Sequence, residues 1–252
     1  MRIAAVKYHN TLPFLSGLRQ SDLAAEIEIV LDHPANCAVL LGRGEVDIAL
    51  CPVGALVDFD RYFLITDFGI GCDGAVRTVA VYSHVPVEQL RHVVLTPSSR
   101  TSNLLVQLLE QAYWRIGLTF HTNDDDLDPS QTGYLHIGDT CFTAEKDYRH
   151  ICDLGASWKQ HTGLPFVFAC WTSLTPVEPE LESRLSAAFG QGVRQLDQLV
   201  SAAGFNGVDL QSYLKYHIHF RLDARKRKAM QLFLNAVRNL PTLPTYAVQD
   251  PR

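Results

Sequence analysis

The stretch VVLTPSSRTSNLLVQLL, residues 93–109, joins an apolar run to an amphipathic helical pattern through a polar turn. The apolar run at 93–95 is typical of a buried strand. From Leu104 onward, apolar side chains recur at the spacing of about 3.6 residues that marks one face of a helix. A buried strand that leads directly into such a helix predicts an α/β fold.

The same alternation of strand and helix patterns extends on both sides of this stretch. The other predicted strands are at residues 3–6, 26–30, 46–50, 62–65, 79–82, 119–120, 135–137, 151–154 and 166–171. A helix is predicted at 33–42. This β-α-β order favours a mostly parallel sheet with helices on its faces.

The chain after residue 175 has a helical pattern. Thr175 and Pro176 are typical of a helix start, and an apolar stripe then continues to residue 200. Glycines at 204–207 predict the end of this helix. Two more helices are predicted near 208–217 and 223–239, and the proline-containing tail at 241–252 is predicted to be irregular.

Two α/β lobes joined by two crossing strands account for this order of elements. With crossings at 79–82 and 166–171, the first lobe takes residues 1–82 and 170–252, and the second takes residues 83–169. A gap between lobes is a common place for a ligand pocket. Strand carboxyl ends and helix N-termini from both lobes are expected to face it.

The composition limits the classes of function. Of the 252 residues, 47% are hydrophobic and 19% are charged, which is typical of a globular protein. The net charge of −5 argues against nucleic-acid binding. No apolar run approaches the roughly 20 residues of a membrane span, and residues 1–14 lack the pattern of a signal peptide, so we expect a cytoplasmic protein without membrane association. The six cysteines include no C-x-x-C pair and are expected to be small buried hydrophobes.

The turn within the opening stretch is the most informative candidate site. Ser98, Ser99, Arg100, Thr101 and Ser102 place four hydroxyls and a guanidinium at a helix start. Free N–H groups and the helix dipole favour an anion there, and Arg can bind a carboxylate bidentately. A plain N-cap needs only one hydroxyl. The cluster therefore favours a site for an anionic ligand.

Three further segments carry polar candidates. Asn10 and Thr11 follow the first strand, where they can donate to a ligand or cap the next helix; the residues alone leave both alternatives open. Thr78 is expected at the first crossing, facing the cleft. Asp139 ends a strand, where it can accept from a backbone N–H or from a ligand hydroxyl, and capping is the favoured role.

Other motifs add little chemistry. Trp158, residues 162–166 and Trp171 either wall an apolar part of the pocket or pack in the core. The sequence has no G-x-S-x-G, H-E-x-x-H or Walker motif, and no His pair has a third ligand nearby, so no metal site is predicted. The residues predict a cleft for a small anion, which suits an enzyme or a binding protein.

Several of these segments, in this order, resemble the menaquinone-biosynthesis family of the futalosine route. The matching stretches begin with Y-x-N-x-L-P at residue 8 and G-E-V-D-I-A at residue 44. They continue with G-C-D-G at 71, S-S-R-T-S at 98, I-G-D at 137 and W-K-x-x-T-G-L-P-F-V-F-A at 158. They cover both predicted lobes, and they look most similar to the branch of the family that dehydrates chorismate.

This resemblance implies a periplasmic-binding-protein type II-like fold and a hydro-lyase that converts chorismate to 3-[(1-carboxyvinyl)oxy]benzoate and water. It implies no metal, nucleotide or other cofactor. It places the family's active-site Asn at Asn10, its hinge Ser at Thr78 and its Ser-Ser-Arg-Thr-Ser loop at residues 98–102. Thr78 keeps the hydroxyl and adds a methyl group, while His9 and Ala75 stand where an apolar residue and a proline are common.

Two alternatives share this fold. The sister activity, release of 1,4-dihydroxy-6-naphthoate from a cyclised futalosine derivative, implies a catalytic His near the crossing, where this chain has the loop at 98–102. A solute-binding protein for a small carboxylate is expected to carry a secretion signal or lipid anchor, and residues 1–14 show neither pattern. The chorismate-dehydrating activity is therefore the favoured prediction.

Overall fold

The structure is a computed structural model that describes residues 1–203 and 209–240. The predicted helix end at 204–207 and the predicted irregular tail at 241–252 lie outside the described residues. Among the residues described, no helix is both long enough and apolar enough to cross a membrane.

Strands and helices alternate through the described chain. The strands are β1 (Arg2–Val6), β2 (Glu28–Asp32), β3 (Ile48–Pro52), β4 (Phe63–Cys72), β5 (Val79–Ser83), β6 (His92–Val94), β7 (Thr119–His121), β8 (Thr132–Ile137), β9 (His150–Asp153), β10 (Phe166–Ser173) and β11 (His219–Arg221). The helices are α1 (Leu12–Gln20), α2 (Pro34–Gly42), α3 (Arg100–Leu109), α4 (Cys141–Ala144), α5 (Leu154–Thr162), α6 (Pro179–Arg194), α7 (Leu196–Ala203), α8 (Leu210–Ser212) and α9 (Ala224–Arg238).

These strands form two sheets. The first has the order β11-β4-β10-β3-β1-β2, and the second has the order β7-β6-β8-β5-β9. The first sheet thus takes strands from both end parts of the chain, and the second takes strands from the middle part. The chain passes to the second sheet between β4 and β5 and returns between α5 and β10.

The strands predicted to cross between lobes each belong to one sheet. β5 pairs along its length with β8 and β9, and β10 pairs with β3 and β4. The passages between sheets are instead the short segments at 73–78 and 163–165. A strand inside a sheet has its backbone groups bonded on both sides, so β5 and β10 cannot also span a gap between sheets.

The sheets are mixed, so the expectation of mostly parallel sheets is wrong. Parallel pairs join β1 to β2 and β3, and β6 to β7 and β8. The strands next to the passages, β4, β5 and β10, pair antiparallel with their neighbours. A chain that leaves a sheet and returns at the same end runs back against the strand it left, which gives this antiparallel pairing.

β4 is longer than predicted, because glycines conceal its second half. The pattern predicts a strand at 62–65, yet β4 continues to Cys72. A Cβ on Gly69 would lie 2.5 Å from the carbonyl oxygen of Ala169, and one on Gly71 would lie 2.7 Å from that of Phe166. The close approach of β10 requires glycine at both positions, whereas strand propensity counts glycine against a strand.

The aromatic residues that were candidates for the pocket wall or the core are core residues. Trp171 stacks on Phe189 with ring centroids 4.6 Å apart, and Phe14 packs edge-to-face on both rings. Trp158 contacts Phe166 in the same edge-to-face way at 5.2 Å. The fully buried rings of Trp158 and Trp171 therefore hold the first sheet to its helices.

The six cysteines are free, and five of them are buried, as expected for small hydrophobes. Burial raises the pKa of the Cys37 thiol to about 12 and that of Cys170 to about 11, so these thiols stay protonated.

α6 begins three residues later than predicted, at Pro179. The Ser173 hydroxyl donates to the Thr175 carbonyl oxygen at 2.8 Å and accepts from the Thr175 N–H at 3.1 Å. These bonds hold Thr175 in a turn that follows β10, so it does not cap the helix.

α1 and α6 approach each other closely through two glycines. A Cβ on Gly192 would lie 1.7 Å from the carbonyl oxygen of Pro13, and one on Gly17 would lie 2.0 Å from that of Ala188. α1 directly follows the turn at His9–Thr11. The contact with α6 therefore also fixes the position of that turn.

Gly192→Ala is expected to lower the free energy of unfolding by about 2 kcal/mol or more, because the added methyl group forces the two helices apart. Urea denaturation measures this change. The matched control is Gly190→Ala on the same helix, where the nearest atom is the end of the flexible Arg194 side chain at 3.2 Å. The control is expected to keep its stability or gain up to about 1 kcal/mol from helix propensity. Equal stabilities of the two variants would contradict this packing.

Candidate active site

A cavity of about 480 Å³, its mouth included, lies between the two sheets. The carboxyl ends of β1, β3 and β8, the start of α3 and the passage at 73–78 all reach it. Its polar lining comes from Tyr8, Asn10, Thr78, Ser99 and Ser102. Four of these residues were singled out from the sequence, and the fold brings them to this one cavity from both sheets.

The rest of the cavity wall is apolar and uncharged. It includes Val6, Ile70, Val76, Val79, Ile137 and Phe168. Among the described residues that line the cavity, none is an Asp, Glu, His, Lys or Arg. Burial raises the pKa of Tyr8 to about 12, so its phenol stays protonated at neutral pH. The cavity therefore offers neutral hydroxyl and amide groups to a ligand.

Asn10 lies in the turn after β1. Its Nδ2 donates to the Tyr213 hydroxyl at 3.4 Å, and its Oδ1 accepts from the Thr11 hydroxyl at 3.3 Å. Thr11 is fully buried, does not line the cavity, and makes no capping bond to α1. Capping is thus not the role of Thr11, and its hydroxyl orients the amide of Asn10 instead.

Thr78 lies at the end of the passage from the first sheet and is 2% exposed. Its Oγ1 lies 2.7 Å from Oη of Tyr213, a fully buried residue at the start of the helical turn Tyr213–His217. The sequence pattern treated Tyr213 only as part of a helix at 208–217. One feature of the sequence indicates a polar contact for Tyr213. It shares an apolar helix face with Leu210 and Leu214, and a buried tyrosine hydroxyl needs a hydrogen-bond partner.

Ser99 and Ser102 bring the start of α3 to the cavity. Ser99 is the N-cap, and its Oγ accepts from the Ser102 backbone N–H at 3.2 Å. The two hydroxyl oxygens lie 2.9 Å apart. One of the two hydroxyls donates to the other. The hydroxyl that accepts keeps its own proton, which it can donate to a ligand. Capping therefore leaves a hydroxyl proton available to a ligand at this start of a ten-residue helix.

Arg100 and Ser98 do not line this cavity. The Arg100 guanidinium donates to Asp58 at 2.8 Å, and both residues border a separate outer groove. Ser98 lines the same groove, and its carbonyl oxygen accepts from the Ala35 N–H at 3.3 Å. The cation in the predicted anion site is thus paired at the protein surface.

Thr101 connects the two sheets and does not contact the cavity. Its Oγ1 accepts from the Gly54 N–H at 2.9 Å and donates to the Phe168 carbonyl oxygen at 3.2 Å. Thr101 is 1% exposed, so both bonds are shielded from water. They attach the start of α3 to the first sheet.

Asp139 makes a second connection between the sheets. Its Oδ2 lies 2.7 Å from Nδ1 of His9, and both carboxylate oxygens lie 3.3 Å from the His9 backbone nitrogen. Next to it, Gly138 has a φ of +64°, and a Cβ there would lie 2.6 Å from the Tyr8 ring. Asp139 thus accepts from a backbone N–H across the cleft and does not cap the turn at 138–140, so the capping role predicted from the sequence is wrong.

Comparison with known proteins gives a consistent family assignment. The sequence model of a family described as menaquinone biosynthesis matches residues 1–239. The chain is also 28% identical over 266 aligned positions to chorismate dehydratase from Thermus thermophilus, with 95% of this chain and 96% of that protein covered.

Solved structures resemble this one at low sequence identity. A protein from Archaeoglobus fulgidus superposes with a TM-score of 0.72 at 15% identity, covering 94% of this chain and 96% of that one. The aliphatic sulphonate binding protein of Escherichia coli gives 0.57 at 14% identity, covering 93% and 90%. A Candida albicans protein described as having the generic periplasmic binding protein fold gives 0.62 at 13% identity, covering 97% and 92%. These likenesses confirm the periplasmic-binding-protein-like fold.

Thr101→Val is expected to lower the free energy of unfolding by about 2 kcal/mol, because it leaves the buried Gly54 N–H without its acceptor at nearly unchanged side-chain volume. Denaturation with urea checks the value. Thr101→Ser keeps the hydroxyl and should recover most of the loss. If Thr101→Val were as stable as the unsubstituted protein, Thr101 would not join the sheets in the way described.

Proposed function

The chain belongs to the menaquinone biosynthesis family, and on that basis we propose that it is a lyase that dehydrates chorismate to 3-[(1-carboxyvinyl)oxy]benzoate. The observation that carries this proposal is the neutral cavity, in which hydroxyl and amide donors from both sheets meet without an ionisable base. The similarity to the chorismate dehydratase of Thermus thermophilus supports the choice of substrate.

The chemistry requires little beyond orientation. Chorismate loses its ring hydroxyl and one ring proton, and the products are a benzene ring and water. Because aromatisation favours the products, the protein has to hold the substrate in a reactive geometry and stabilise negative charge as it develops. Fixed neutral donors in a buried cavity suit both tasks.

The substrate itself supplies the base in this proposal. The only titratable side chain that lines the cavity among the described residues is Tyr8, which stays protonated. The enolpyruvyl carboxylate takes the ring proton, and the electron pair left on the ring expels the hydroxyl. The transferred proton leaves with that hydroxyl as water, so atoms and charges balance.

Two groups of donors match the two carboxylates of chorismate. Ser99 and Ser102 would bind one carboxylate at the start of α3, where the helix dipole also favours an anion. Asn10 and Thr78, which line the same cavity, would bind the enolpyruvyl carboxylate. Asn10 then positions the group that accepts the proton and stabilises the charge that forms.

Asn10→Asp is expected to lower kcat/KM for chorismate by about 100-fold or more, because a carboxylate at this position repels that of the substrate. Chromatographic detection of the aromatic product gives the rate. Asn235→Asp is the matched control, since it adds the same charge on the exposed face of α9; it should leave the rate unchanged. Full activity of Asn10→Asp with an intact circular dichroism spectrum would reject the role of Asn10.

The function itself is tested with the purified protein and chorismate alone, without metal or nucleotide. We expect a new aromatic product with the mass of chorismate less one water. Turnover of a cyclised futalosine derivative instead would indicate the sister activity. No turnover, combined with tight binding of another small carboxylate in calorimetry, would indicate a solute-binding protein.

A further inference from the structure

Tyr213 lies behind the cavity wall, where it contacts two residues that line the cavity. Its Oη is 2.7 Å from Oγ1 of Thr78 and 3.4 Å from Nδ2 of Asn10. Tyr213 is 1% exposed and does not itself line the cavity. The three residues are distant in sequence, since Tyr213 is 135 positions from Thr78 and 203 from Asn10.

The chemistry of these groups fixes the direction of the hydrogen bonds. An amide nitrogen only donates, so the Tyr213 hydroxyl oxygen accepts from Asn10. The Asn10 oxygen accepts from the Thr11 hydroxyl at 3.3 Å, which is consistent with this orientation of the amide. The Tyr213 hydroxyl then has one proton to donate, and the acceptor within reach is Oγ1 of Thr78.

The opposite direction leaves a buried donor without an acceptor. If Thr78 donated to Tyr213, the phenol oxygen would accept two bonds and its own proton would have no partner among the described residues. An unsatisfied buried donor costs about 1–3 kcal/mol. Burial also raises the pKa of Tyr213, so the phenol keeps its proton. The chain of bonds therefore runs from Asn10 through Tyr213 to Thr78.

We infer that Tyr213 is a positioning residue that holds the Thr78 hydroxyl and the Asn10 amide as donors towards a carboxylate in the cavity. Because Thr78 Oγ1 accepts from Tyr213, its own proton is available to the ligand. The second N–H of Asn10 is available in the same way. A carboxylate only accepts hydrogen bonds, so its two oxygens match both of these donors. A primary amide in its place would direct N–H donors towards the donors of the protein.

The catalytic consequence rests on the proposed function. Tyr213→Phe removes one hydroxyl at nearly constant volume and frees Thr78 to turn its proton away from the substrate. We expect kcat for chorismate to fall about tenfold or more, in line with loss of an oriented donor in a buried site. Tyr216→Phe is the matched control, because Tyr216 lies in the same turn and is 67% exposed; it should change kcat by less than about twofold.

A merely structural role of Tyr213 predicts a different result. It would lower the melting temperature of Tyr213→Phe while the folded enzyme kept its kcat. The positioning role also predicts that the losses of kcat caused by Thr78→Val and Tyr213→Phe do not multiply in the double variant. Thr78→Val already removes the Thr78 end of the chain of bonds and leaves only the Asn10 contact, so adding Tyr213→Phe should cost clearly less than it costs alone. Full multiplication of the two effects would overturn the inference.

A measurement without turnover separates this inference from the proposed function. The side-chain amide signal of Asn10 in a ¹⁵N-resolved NMR spectrum can be assigned by its loss in Asn10→Asp. Tyr213→Phe should shift this signal, and Tyr216→Phe should not. An unshifted signal would refute the chain of bonds even if the protein dehydrates chorismate. A shifted signal in a protein that yields no product would refute the proposed function and retain the chain of bonds.

Discussion

The antiparallel pairing of β4 with β10 is the constraint on which the rest of the structure depends. Cys72, the last residue of β4, pairs with Phe166, the first residue of β10. The chain therefore leaves the first sheet and returns to it at neighbouring points. The passage to the second sheet begins at this end of the β4–β10 pair, and the passage back ends there. The second sheet must therefore lie over that end of the pair. The cavity lies at this end of the β4–β10 pair, and Ile70 of β4 and Phe168 of β10 form part of its wall.

A partly buried carboxylate holds the passage that carries Thr78. Asp153, the N-cap of α5, accepts from the backbone N–H groups of Val76 at 3.0 Å, Arg77 at 2.7 Å and Ala156 at 2.9 Å. Arg77 adopts a φ of +66°, a backbone conformation that is unfavourable for residues other than glycine. Burial raises the pKa of Asp153 although these N–H groups oppose the shift. The second sheet, whose strand β9 ends at Asp153, thus contributes the anchor that fixes the passage next to Thr78.

Among the described residues, no charged side chain lines the cavity, which agrees with the high cost of burying a charge. An arginine in this apolar space would lose its hydration, and only a permanent ion pair could offset that free-energy cost. Arg100 remains at the surface with Asp58, and the helix start with its two serines faces the cavity instead. Oriented hydroxyls, an amide and a helix dipole can favour a carboxylate at a smaller desolvation penalty.

The sequence by itself determined the local elements and the segments that reach the site, because apolar spacing and turn residues act over a few positions. α2, α3, α9 and the motifs around Asn10 and Ser99 follow from such patterns. Only the tertiary structure decided that β4 extends through Gly69 and Gly71, that Thr101 joins the sheets, and that Tyr213 meets Asn10. These features depend on close contacts between segments far apart in the chain. A hydrogen bond between distant residues leaves no periodic trace in either segment, so no local pattern reveals it.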